Sequence, residues 1–171
     1  MRHREPVRRR RRRGTAALLA LAVATGGAGC TVASHQEPGQ ATASVRDALT
    51  QASSAAQTTL LTVELLDADR LTSPVADAAL LEQVRVLESA STALTTLVPP
   101  DDTSSAQRAA GLDALADVTA EVVAARAWVA REAGGDLSEA GDVPVSGDEA
   151  VARLDAATSE LDATLALVGG A

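Results

Sequence analysis

The chain has 171 residues, 46% of them hydrophobic, with one cysteine and one tryptophan as the sole aromatic. One cysteine excludes an internal disulfide framework. The formal net charge of −8 conceals a division, because eight of the fifteen arginines fall within residues 1–13 and the acids lie almost entirely beyond them.

Residues 1–13, "MRHREPVRRRRRR", give way abruptly to "GTAALLALAVATGGAG", which carries no charge. A basic start, an apolar stretch of about ten residues and then small residues is the layout of a secretory signal peptide. The apolar run is shorter than the roughly 20 residues that span a bilayer. A nucleic-acid-binding arm is the competing reading of the arginines, but they lead straight into an export-like core. Consecutive arginines also admit the twin-arginine route without specifying it.

Two cleavage sites compete. Ala22-Val23-Ala24 fits the small-x-small pattern and would release a secreted soluble helical domain carrying a free thiol. Gly27-Ala28-Gly29-Cys30 resembles the lipobox of bacterial lipoproteins, although a leucine-like residue is usual where Gly27 stands. The resemblance implies that the Cys30 sulfur carries a diacylglycerol and that Cys30 is the first residue of the mature chain. An unpaired thiol in an oxidising compartment favours this fate, since lipidation consumes it. Two acyl chains anchor stably where one is marginal. The expected location is the cell membrane, lipid-anchored on the extracytoplasmic face.

The chain has no Lys, Asn, Ile, Phe or Tyr, all of them residues with AT-rich codons, while Ala, Arg, Gly, Leu and Val abound. With the lipobox, this bias makes it similar to the small exported helical lipoproteins of actinobacteria. Losing residues 1–29 removes eight arginines and Glu5, leaving seven arginines against 22 acids and a formal net of −15. Such a surface repels nucleic acid and anionic headgroups. Residues 30–43 have the small, polar composition of a flexible tether, and residues 44–171 form the domain.

Within that domain the apolar period is helical. Val45, Leu49, Ala52, Ala56, Leu60, Val63 and Leu66 predict a first helix from a Ser44 cap to about Leu71. Ser73-Pro74 predicts a restart with Ser73 as cap, against the alternative of one kinked helix. Leu80, Val84, Leu87, Leu94 and Val98 form the second stripe, which Pro99-Pro100 ends. Residues 101–105 supply caps for a third helix along Leu112, Leu115, Val118, Val122, Ala125 and Val129, closed by Gly134-Gly135. Residues 134–147 carry no stripe and read as a mobile or functional loop. Ser146 and Glu149 then form a capping box, with Glu149 reaching back to the Ser146 amide. The fourth seam is Val151, Leu154, Thr158, Leu161, Leu165 and Val168. The expected fold is an all-α, antiparallel four-helix bundle in up-down-up-down order, with an elongated coiled coil completed by another molecule as the alternative.

Chemistry-bearing residues are few. The mature chain has one histidine, His35, in the tether and no methionine, so no metal site and no cofactor is expected. Neither histidine nor lysine stands in the domain to organise a nucleophile, and no catalytic residue is assigned. Asp67/Asp69, Asp101/Asp102, Asp113/Asp117 and Asp148/Glu149 fall at helix ends or on polar stripes, as caps and surface or as weak calcium ligands. Trp128 has two readings: a cover for the bundle end, or an exposed anchor for a partner protein beside the loop. These residues predict an anchored, noncatalytic module that binds a protein or another envelope component. The alternative is a bundle enclosing a small apolar ligand.

Overall fold

The computed structural model describes residues 37–135 and 142–170. Four helices make the fold, α1 (Pro38–Asp67), α2 (Ser73–Thr96), α3 (Asp102–Glu132) and α4 (Gly147–Gly169), with no strand among the described residues. The protein is an all-α four-helix bundle.

α1 begins six residues before the expected Ser44 cap. Pro38 brings a fixed φ to the first turn, and the Glu37 carbonyl accepts from the Gln40 and Ala41 amides at 2.8 and 3.2 Å. Ala41 is fully buried. Residues 38–43 therefore belong to the bundle, and Ser44 is interior to the helix, its hydroxyl donating to the Gln40 carbonyl at 3.0 Å. The helix ends at Asp67, where Asp69 takes φ 56°. The Arg70 amide donates to Leu65 O and the Asp69 amide to Leu66 O, which together satisfy two terminal carbonyls.

α2 is a separate helix, so the kinked alternative is set aside. Its cap is Thr72 rather than Ser73, because the Thr72 carbonyl already accepts from the Val75 and Ala76 amides. Leu80, Leu87 and Leu94 are buried as the stripe requires, but Val98 is 67% exposed and Leu97 is buried in its stead. The helix stops at Thr96 and Leu97 is extended, so helical spacing no longer decides which side chain faces inward. The proline pair acts one residue earlier than its own position implies.

α3 and α4 start as their sequences dictate. The Asp101 carboxylate accepts from the Ser104 amide at 2.7 Å, and Ser146 Oγ accepts from the Glu149 amide at 3.2 Å. The reciprocal arm of the box differs from expectation: Glu149 Oε2 accepts from the Val145 amide at 2.8 Å instead of that of Ser146. α3 closes on Gly134, at φ 85°, with the Gly135 amide donating to Ala130 O and the Gly134 amide to Arg131 O. This is the same closure as at the end of α1, here with the residue that adopts it without strain.

The core is made of leucine, valine and alanine. Leu49, Leu80, Leu87, Leu115, Leu154 and Leu161 are among its fully buried side chains, each stabilising by roughly 1.5–3 kcal/mol relative to exposure. α1 packs on all three other helices, whereas α2 and α4 do not meet among the described residues. Contacts join opposite ends of α1 and α4 and of α2 and α3. Arg46 early in α1 donates to Gly169 O at the end of α4, and Asp67 at the end of α1 lies against Gly147 at the start of α4. Arg108 early in α3 donates to Leu94 O late in α2 at 2.9 Å. Buried hydroxyls at Thr59, Thr62 and Thr158 donate to carbonyls one turn back, so these three are satisfied within their own helices.

Candidate functional site

Cys30 and the lipobox residues Gly27, Ala28 and Gly29 lie outside the described residues, as does His35. The expected mobile loop falls partly there too, since only residues 134–135 and 142–147 of it are described. Its far end is held: Pro144 is buried, Arg131 donates to the Pro144 carbonyl, and Asp142 pairs with Arg153.

Trp128 is 2% exposed and sits in the core with Val129. The reading as an exposed partner anchor is corrected. Its place on α3, one residue before the Val129 seam position, turns the ring inward where it contributes a large apolar body. The indole N–H has no hydrogen-bond partner among the described residues, so the apolar contacts outweigh a desolvation cost of about 1–3 kcal/mol.

The carboxylate pairs separate into different roles. Asp101 and Glu149 cap, Asp102 and Asp148 lie in electropositive first turns, and Asp69 occupies the turn after α1. Asp113 and Asp117 are exposed on α3. Among the described residues no group of three or more His, Cys, Asp or Glu side chains is placed to hold a metal ion.

Arginines staple the helices together. Arg153 of α4 grips Glu121 of α3 through two hydrogen bonds, at 2.8 and 3.2 Å, and reaches Asp142 at 3.0 Å. The hydrogen bonds that it donates to Glu121 hold the Arg153 guanidinium above its ordinary pKa, with attraction to Glu121 and Asp142 adding to this against partial burial. A raised cation keeps its pairing contribution at every pH below its unfolded value and loses it only in strong alkali. Between α2 and α3, Arg126 pairs with Asp77 at 2.8 Å while Arg108 holds the Leu94 carbonyl. Such half-exposed links each contribute about 0–1 kcal/mol, so they fix register more than they stabilise.

Between those two arginine links runs an open groove of about 760 Å³ on the outside of the bundle. Leu87 and Ser91 of α2 face Leu112, Ala116, Thr119 and Val123 of α3 across it, and Glu88 is its one charged lining residue. Val123 is half exposed. The groove lies where Leu112, Ala116, Thr119 and Val123 of α3 stand beside α2 without being covered by it, although α1, α2 and α4 all pack on α3. An apolar seam at helical spacing marks the inward side of a helix and not a second, outer face. Its signal was present as Leu112, Ala116, Thr119 and Val123, at steps of four, three and four.

No helix among the described residues is long and apolar enough to cross a membrane. No protein-family model matches the chain, and no curated protein or solved structure matches it either.

Proposed function

We propose that the protein is an extracytoplasmic lipoprotein, anchored through an acylated Cys30, whose helical bundle is a noncatalytic module for binding a protein of the cell envelope. The observation that carries this is the single cysteine placed four small residues after an apolar run behind a basic block. The mature charge of −15 supports a body that stands off from anionic headgroups.

The early start of α1 shortens the tether. Seven residues, 31–37, separate Cys30 from the helix, a reach of at most about 25 Å. The chain enters the bundle at Pro38, so the anchored end is the one that also holds Leu97, Asp101 and Gly169. The groove between α2 and α3 lies along the side of the bundle and stays open to a neighbour in the envelope. Each described pocket is a cleft between elements that opens to solvent, which supports surface recognition over an enclosed apolar ligand.

Detergent-phase partitioning of the protein made in its own cells tests the anchor. Wild type is expected in the detergent phase and Cys30→Ala in the aqueous phase. Wild type in the aqueous phase would overturn the anchored reading in favour of a secreted domain.

A further inference from the structure

We infer that the groove between α2 and α3 is a docking site for a cationic amphipathic helix of a partner protein, an inference that rests on reading the bundle as a protein-interaction module. The floor supplies an apolar surface in an otherwise acidic protein, formed by Leu112, Ala116 and Val123 of α3 over the buried Leu87 of α2. Small side chains at Ala116 and Ala120 leave room for a backbone to approach closely. Arg108 and Arg126, which clamp the two ends to α2, are 18 positions apart along α3, or about 27 Å of helix. Between them the α3 lining runs from Leu112 to Val123, about 17 Å, which about three turns of a partner helix fill.

Charge selects the occupant. Glu88 lies on the α2 side, and Asp113 and Asp117 each follow a floor residue of α3 by one position, about 100° further round the helix, where Asp117 also lines the next cleft, between α3 and α4, with Glu121 and Arg153. None of the three has an ion-pair partner among the described residues. Of the nearby cations, Arg85 and Arg126 are paired with Glu82 and Asp77, while Arg108 donates to a neutral carbonyl and keeps its charge at one end of the groove. Glu88, Asp113 and Asp117 outnumber Arg108, so the borders carry a net negative charge beside an apolar floor, the complement of a helix whose apolar face is flanked by lysine or arginine. A second copy of this chain brings the same acids against themselves, and an anionic bilayer is repelled by them.

The test uses the full-length Cys30→Ala chain, which needs no detergent, and fluorescence anisotropy of a labelled helical peptide of about 18 residues. One peptide has leucines and alanines on one face flanked by lysines, a second has glutamates for the lysines, and a third scrambles the first. The lysine peptide is expected to bind at least about tenfold more tightly than the other two. Ala116→Arg in the groove weakens it about tenfold, while Ala163→Arg on the exposed face of α4, with the same added charge, leaves it within about twofold. Circular dichroism of both variants confirms that helicity is kept.

No binding of the lysine peptide overturns the inference. So does equal binding of all three peptides, or equal weakening by Ala116→Arg and Ala163→Arg, which marks diffuse attraction to an acidic surface. Sedimentation showing a dimer that Ala116→Arg dissociates assigns the groove to a second copy and overturns it as well. Anchoring plays no part in this titration: an unlipidated protein leaves the groove result standing, and a silent groove leaves the anchor standing.

Discussion

α1 and α3 are the two longest helices, of 30 and 31 residues, both rich in alanine, yet most alanines of α1 are buried and most of those of α3 are not. In α1, Ala41, Ala48, Ala52, Ala55 and Ala56 are buried, because three other helices pack around it and small side chains let them approach. In α3, Ala114 and Ala125 are buried too, but Ala109, Ala116 and Ala120 are exposed, the last two lining the open groove beside α2. Alanine content alone does not say whether a face is a contact. The number of neighbours decides it, and the face left over on α3 is the one with a groove.

The sharpest way to break this contrast is to place the same charged residue on both faces. Ala52→Arg puts an unpaired cation in the α1 contact and should cost at least about 4 kcal/mol. Ala116→Arg should stay within about 0.5 kcal/mol. Urea unfolding of the two variants checks both, and equal losses would mean that the α3 face is packed after all. Where α3 does meet α1, the approach is close: a Cβ on Gly111 would lie 3.3 Å from Leu94 Cδ1 and 3.4 Å from Val45 Cγ1. Gly111→Val is thus expected to cost about 2 kcal/mol by overpacking, read as a lower urea midpoint.

The starts of the two helices differ as well. Asp101 accepts a capping hydrogen bond at α3, whereas Glu37 makes none at α1. Asp101→Ala should lower stability by about 1 kcal/mol and Glu37→Ala by no more than a few tenths. The ends share one hydrogen-bond pattern but not one residue type. Thermal unfolding should show Asp69→Gly raising stability by roughly 0.5 kcal/mol, since only the aspartate is held at positive φ against its preference. The converse change, Gly134→Asp, should lower it by a similar amount.

Much of the fold was legible because its signals are local. Asp101, Ser146 and Gly134 are each read correctly from the chemistry of one turn, and the α4 seam from one helix. The start of α1 was misread because the small, polar composition of residues 31–43 outweighed Pro38, although proline in a first turn is a start signal of the same kind as Pro74. Val98 failed because a stripe extrapolates past the point where Pro99 has already ended the helix. Trp128 could not be placed by periodicity alone, being one position off its seam. The groove was the least legible feature, since it depends on which faces of α2 and α3 remain uncovered after α1 and α4 have packed. No single-helix pattern contains that information.

The central claim is that Cys30 is the attachment point, and the intact mass of the protein purified from its own cells tests it most directly. The account predicts a chain that begins at Cys30 and is heavier than its 142 residues by a diacylglycerol or more. A mass that begins near Thr25 with an unmodified thiol would contradict it, and would make this a secreted bundle with a free cysteine near its N-terminus.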